Sequence, residues 1–187
     1  MAGQTWQAEL KDWVISIGIA LILAFFIRTF IIELYLVDGP SMQPTLQNGN
    51  RLVVSKFIYN FRDPRRGEVI VFQFPADTSR DFVKRVIGVP GDTIEIKDGK
   101  VFVNDKMIDE PYMQRDESLI KGRTALQRYF DFYPVHVVPQ NTVFVLGDNR
   151  YNSEDSRDGK VGFVPYSLIK GKALMVFWPF SEMKLLP

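Results

Sequence analysis

The hydrophobic pattern changes character once along the chain. From Val14 to Ile27 no residue carries a charge, and apolar side chains fall on every side of a helical projection. That run alone is short of the roughly 20 residues that span a bilayer. The apolar character resumes after Arg28 and Thr29, with Phe30, Ile31 and Ile32. Arg28 is long enough to reach the headgroups from near one end, and Trp13 suits the interface at the other. The pattern predicts a transmembrane anchor over residues 13–33, preceded by a short N-terminal segment, 1–12. A cleaved signal peptide competes with this reading, but Glu9 and Asp12 stand where a basic segment belongs and no Ala-x-Ala-like site follows. A buried core helix also competes, but it would be apolar on one stripe only. Lys11 and Arg28 flank the run almost evenly, so charge alone does not orient it.

Beyond residue 33 the period shortens. Runs rich in Val, Ile and Phe, such as RLVVSKFI, GEVIVFQF, DFVKRVIGV, DTIEI, KVFVN, NTVFVLG and KALMVFW, alternate with turn-forming stretches. Strands of this length and spacing predict a mainly β protein, an all-β sandwich or barrel-like domain over residues 34–187. Lys97-Asp98-Gly99-Lys100 reads as a tight hairpin. Residues 105–140 are less regular and read as a small insertion.

Composition narrows the chemistry. A chain of 187 residues holds one good core. The net charge is +1 and the cations form no basic stripe, so no nucleic-acid partner is expected. There is no cysteine, which excludes disulfides, thiol catalysis and cysteine-built metal sites. The single histidine, His136, lies in a strand-like stretch and reads as a plain strand or surface residue. No cofactor or metal is expected.

Three segments could carry chemistry. In DGPSMQPTLQNGN, Ser41 sits between Pro40 and Pro44, which restrict the backbone, and Gly39 permits an unusual dihedral. That loop could present a nucleophile or could simply be a proline turn. In RDFVKRVIGVPGD, strand periodicity puts Lys84 on one face with Phe82 and Val86. Apolar neighbours favour a neutral amine, which can act as a base; an edge-strand lysine that blocks aggregation would look the same. In VFVLGDNRYNSEDSRDGKVGFVP, Asp148, Arg150, Ser153, Asp155 and Arg157 crowd together after a hydrophobic strand. They read either as a solvated loop or as a hydrogen-bonded platform for a site.

Taken in order and downstream of an anchor, these segments resemble the type I signal peptidase family. The resemblance rests on Gly39 to Leu46, Arg66 to Phe72, Lys84 to Asp92 and Gly147 to Arg157, and it covers nearly everything after residue 35. The single anchor and small insertion resemble the Gram-positive branch. The resemblance implies a membrane-bound serine endopeptidase with Ser41 as nucleophile and Lys84 as general base. It implies that Ser153 hydrogen-bonds and orients the lysine, that Asp155 and Arg157 form a structural ion pair, and that Asp148 is a supporting acid. The Ser41 N–H would donate to the oxyanion; Gly39 stands where some members carry a helping serine, so no side chain can assist there. Val37, Leu46, Phe82 and Val83 would wall shallow pockets for small residues at the first and third positions before the cut. The substrates would be secretory preproteins bound as an added β-strand, and the lipid bilayer the other partner. Residues 1–12 would be cytoplasmic and 34–187 extracytoplasmic. Two alternatives stand beside this reading. One is a self-cleaving SOS-repressor-like Ser/Lys protease, which would need a DNA-binding helical domain; the other is a non-catalytic membrane-tethered β-module.

Overall fold

The computed structural model describes residues 6–113 and 131–187. The centre of the predicted insertion and the first five residues lie outside them. Helix α1, Trp6–Phe26, continues as a π-helical turn, Ile27–Ile31. Its stretch Glu9–Ile31 is long and apolar enough to cross a membrane, with mean hydropathy 2.5, and none of that window is covered by the rest of the protein. At about 1.5 Å per residue it reaches roughly 35 Å, enough for a hydrocarbon core of about 30 Å. The helical segment therefore begins before the expected Trp13 and stops before residue 33. It stops because strand β1, Ile32–Leu36, is drawn into pairing with β2, Arg51–Ser55, where Ile32 faces Ser55 and Leu36 faces Arg51.

The rest is mainly β, with every ladder antiparallel. Strands β3 (Val69–Phe74) and β4 (Asp77–Gly88) form the central hairpin. Strands β5 (Thr93–Lys97), β6 (Lys100–Val103), β7 (Lys106–Met107) and β8 (Tyr133–Val137) make a four-stranded sheet in the order β7-β6-β5-β8. The larger sheet is completed by β9 (Thr142–Leu146), β10 (Val164–Pro165), β11 (Ile169–Trp178) and β12 (Lys184–Leu185). Its order is β1-β2-β11-β3-β4-β9-β10, with β12 on β11; β1 and β10 do not meet, so no closed barrel forms. The predicted hairpin is present: Lys97 pairs with Lys100, and Asp98 and Gly99 both have positive φ, as its tight turn requires. The described ends of the predicted insertion are regular after all, since β7 and β8 belong to the smaller sheet. His136 lies exposed on β8, its Nδ1 2.8 Å from the Pro134 carbonyl.

Alternation along the central strands builds the core. On β3, Val69 and Val71 enter one cluster with Leu52, Val54 and Val176. Ile70, Phe72 and Phe74 enter a second with Val86, Val143 and Val145. Strand β9 divides likewise: Phe144 and Leu146 join Ile87 and the smaller sheet in a third cluster. An uninterrupted apolar run on β3 is what a strand covered on both faces needs. Phe72 has no exposed surface, and such burial contributes on the order of 2–3 kcal/mol.

Strand β11 crosses β2 closely at Gly171, where a β-carbon would sit 2.2 Å from the Ser55 carbonyl oxygen. That neighbour is backbone and cannot rotate away. Gly171→Ala should therefore destabilise the protein by about 1–3 kcal/mol. Its unfolding midpoint should fall by several degrees, about 2–4 °C for each kcal/mol. Gly159→Ala, whose site is open, should melt with the parent. Thermal unfolding of the three proteins in the same detergent checks this; equal midpoints would show that the crossing is looser.

Candidate active site

Ser41 lies in the connection from β1 to β2. The base of that connection is closed by Val37 N–H to the Asn50 carbonyl at 2.8 Å and Gly49 N–H to the Val37 carbonyl at 2.9 Å. Inside it, Gln43 N–H bonds the Pro40 carbonyl at 3.0 Å and Leu46 N–H the Met42 carbonyl at 2.8 Å, making a short turn. Met42 and Leu46, both essentially without exposed surface, anchor that turn in the core. Gly39, at φ 105°, turns the chain into it, and its N–H is held by Asn48 Oδ1 at 2.9 Å. The half-buried Ser41 side chain is therefore carried by a segment fixed on both sides.

Lys84 comes from the middle of β4, opposite Ile70 on β3, with Phe82 opposite Phe72. Its Nζ lies 2.8 Å from Ser41 Oγ and 3.0 Å from the Val83 carbonyl oxygen. The Phe82 ring centre is 5.0 Å away. Only 4% of the lysine is exposed, and burial lowers its pKa to about 8. Asp155, Glu154 and Asp148 pull it partly back up. Among the described residues no carboxylate bonds the amine directly, and desolvation dominates.

The third segment clasps the Ser41 connection. Asn149 donates its N–H to the Ser41 carbonyl at 3.0 Å and its side-chain amide to the Pro40 carbonyl at 3.2 Å. Gly147 packs against the same carbonyl: a β-carbon there would lie 2.6 Å from Ser41 O and 2.2 Å from Ser153 Oγ. Asp155 accepts from Arg157 Nε and Nη2, both at 2.8 Å, and from Gly147 N–H at 3.0 Å. Burial alone would raise the Asp155 carboxyl, but Arg157 and these hydrogen bonds more than offset it and hold the group below the usual carboxylate range. Asp148 accepts a two-pronged bond from Arg85, at 2.8 and 2.7 Å. Arg150 pairs instead with Glu110.

The expected bond from Ser153 to Lys84 is not formed. The amine is engaged by Ser41 and Val83, and the buried Ser153 hydroxyl does not reach it within hydrogen-bond geometry. It stays near enough to Asp155 to help hold that carboxyl down.

A cleft of about 630 Å³ opens beside the Ser41–Lys84 pair. Residues 35–41 form one wall and residues 80–84 the other, with Leu52 and Val71 beneath. Val37, Phe82 and Val83 line it. Leu46 does not: it is fully buried in the core cluster with Leu52 and Val54, because it anchors the Ser41 turn. Both walls present open strand edges. Strand β1 ends its sheet, and β9 pairs β4 only at Arg85, Val86 and Gly88, leaving the part before Arg85 unpaired on that side.

Several contributors carried no signal in the sequence pattern. Arg85 reads as a neighbour of Lys84, yet it holds Asp148, the Gly67 carbonyl at 2.8 Å and, more loosely, Thr45 Oγ1 at 3.4 Å. Glu110 and Tyr112 fall in a stretch without periodicity. Gly147 directly precedes Asp148 in the third segment, but its need to lack a side chain appears only when Ser41 packs on it.

Known proteins resemble this chain along most of its length. A family model described as signal peptidase, peptidase S26, matches residues 10–178. Signal peptidase I S of Bacillus subtilis is 41% identical over 178 residues, covering 95% of this chain and 94% of the relative. Signal peptidase IB of Staphylococcus aureus strain Mu50 is 40% identical over 184 residues, with 95% and 94% covered. A crystal structure of a signal peptidase I from Enterococcus faecalis V583 covers 59% of this chain and 97% of its own, at 30% identity and TM-score 0.49. With a family match across most of its length and relatives about 40% identical end to end, the chain belongs to the signal peptidase family, peptidase S26.

Proposed function

We propose that this serine endopeptidase removes N-terminal signal peptides from secreted preproteins through a Ser41–Lys84 dyad, while anchored in the cytoplasmic membrane by α1. The observation that carries the proposal is Lys84 Nζ at 2.8 Å from Ser41 Oγ, with a pKa near 8 and a cleft beside the pair. A neutral amine accepts the hydroxyl proton as Oγ attacks the scissile carbonyl. The resulting ammonium returns that proton to the leaving amine, which departs with the mature protein. Water, giving its proton to the neutral lysine, then hydrolyses the acyl-enzyme and frees Ser41.

Negative charge on the carbonyl oxygen needs a donor already in place. Gly39 N–H is taken by Asn48 and Gly39 has no side chain; the Ser41 N–H, to which the family resemblance points, fills that role. Arg85–Asp148 and Asp155–Arg157 hold the platform on which Ser41 rests. Ser153 orients the lysine during the cycle. Its hydroxyl, buried beside Asp155, turns to the amine as Lys84 exchanges its bond to Ser41. The substrate enters as an extended strand between the two open edges, with main-chain bonds on both sides. Small side chains at the first and third positions before the cut fit against Val37, Phe82 and Val83. Residues 1–12 are cytoplasmic, and the β-domain faces the outer side, where preproteins emerge.

Ser41→Ala and Lys84→Arg should each abolish preprotein cleavage while unfolding near the parent temperature. Arginine stays protonated and cannot take the proton. Turnover by Lys84→Arg at more than a few per cent of the parent rate would remove lysine as the base.

The pH dependence follows from the depressed lysine pKa. Only the neutral amine is active, so kcat should rise with pH and reach half its plateau near pH 8. Phe82→Gln admits water to the amine, which relieves desolvation and returns the pKa toward about 10.4. The rising limb should then move to higher pH; a limb that stays in place would exclude Phe82 as a source of the shift.

The topology is open to a direct test. The full chain should stay with membranes in carbonate, and protease added to spheroplasts should reach the β-domain. Extraction by carbonate would show that α1 does not span, and protection of the domain would reverse the orientation.

A further inference from the structure

We infer that Glu110 is a positioning residue for Ser41, acting through Arg150 and Gly147; the inference rests on Ser41 being the nucleophile. Glu110 follows β7 on a segment that contributes nothing to the cleft, yet it is 4% exposed and Arg150 is 5% exposed. Both carboxylate oxygens are engaged. Arg150 Nη1 donates to Oε2 at 3.1 Å, Arg150 Nη2 donates to Oε1, and the Tyr112 hydroxyl donates to Oε1 at 2.8 Å. The remaining face of the guanidinium is aimed by this grip. Arg150 Nε donates to the Gly147 carbonyl at 3.0 Å.

Gly147 is the next link. Its carbonyl is held by Arg150 and its N–H by Asp155, so the residue is fixed from both ends. Its α-carbon leaves no room for a methyl group against the Ser41 carbonyl, and the Asn149 N–H bonds that same carbonyl. A displacement of Gly147 must therefore move the backbone that carries the nucleophile. The segment makes a second contact of the same kind. The Tyr112 ring lies 3.9 Å beneath the Arg85 guanidinium, whose fork holds Asp148, the residue after Gly147.

An ion pair buried for stability alone would not need this geometry, since such pairs add little net stability against apolar substitutes. A planar guanidinium shared between a carboxylate and a backbone carbonyl fixes an orientation. Without the Glu110 charge, nothing holds the Arg150 guanidinium in the plane from which Nε reaches the Gly147 carbonyl.

The test is Glu110→Gln in the full chain, assayed in detergent on a preprotein with alanine at the first and third positions before its cut. Ser41→Ala is run beside it, and all kinetics are taken well below each unfolding midpoint. A misplaced nucleophile costs on the order of 10- to 100-fold in kcat, and KM should change less than about twofold. The alkaline-rising limb should stay in place, because Glu110 is not among the charges that shift Lys84. Unchanged kcat in folded Glu110→Gln would make the pair purely structural and overturn the inference. A fall in kcat with the limb displaced would mean that Glu110 acts on the charge of Lys84, which also overturns it. If Glu110→Gln does not fold, Tyr112→Phe removes only the hydroxyl donor: a several-fold loss of kcat at constant KM supports the inference, and parental kcat overturns it. Activity retained by Ser41→Ala would instead overturn the nucleophile reading itself, whatever the Glu110 variants do.

Discussion

A lysine amine held out of water without a bonded carboxylate is the constraint on which the rest of the site depends. Lys84 is 4% exposed and contacts a hydroxyl and a carbonyl, neither of which can neutralise an ammonium. Burial therefore favours the uncharged amine. That outcome survives only if nearby acids are kept from pairing with it. Asp155, Glu154 and Asp148 all lie close enough to raise its pKa. The two buried aspartates are instead bound by their own arginines, Arg157 and Arg85. These buried pairs balance charge around the lysine while leaving the lysine itself unpaired.

The same arginines bind backbone as well as carboxylate. Arg85 reaches the Gly67 carbonyl, Arg157 the Arg150 carbonyl at 2.7 Å, and Arg150 the Gly147 carbonyl. Burying so many charges is costly unless every one is paired and hydrogen-bonded. The network meets that condition by tying the end of β9, the start of β4's paired section and the Ser41 turn into one body. Electrostatics and positioning are thus the work of the same side chains.

The sheet supplies what the network cannot. Strand β3 is covered on both faces, so its hairpin partner β4 is held rigidly at Lys84. Earlier in β4, where β9 no longer pairs, the edge is left open toward the cleft. The opposite wall is β1, the end strand of the sheet, which follows the membrane-length helix with no linker between them. The cleft is thus flanked by unpaired strand edges directly after that helix.

Much of this was legible in the chain itself, because it depends on local periodicity. The uncharged run around Val14–Ile27 could only be a long apolar helix. Runs such as VIVF on β3 and TVFVL on β9 could only be strands, and Asp98-Gly99 could only be a tight turn. Ser41, Lys84 and the Asp148–Arg157 stretch stood out as short motifs of unusual composition. What the sequence left open were distances between segments far apart in the chain. Leu46 reads as a pocket wall until the Ser41 turn is seen to need an anchor beneath it. Ser153 reads as a partner of Lys84, while in this structure the amine meets Ser41 and Val83. Asp148 and Arg150 stand two positions apart, yet each finds its partner elsewhere, in Arg85 and Glu110. Periodicity records which side of a strand a residue faces, and the sequence alone decided that much. Which charge meets which across 40 or 63 positions is set by how the sheets pack, and only the tertiary structure decided it.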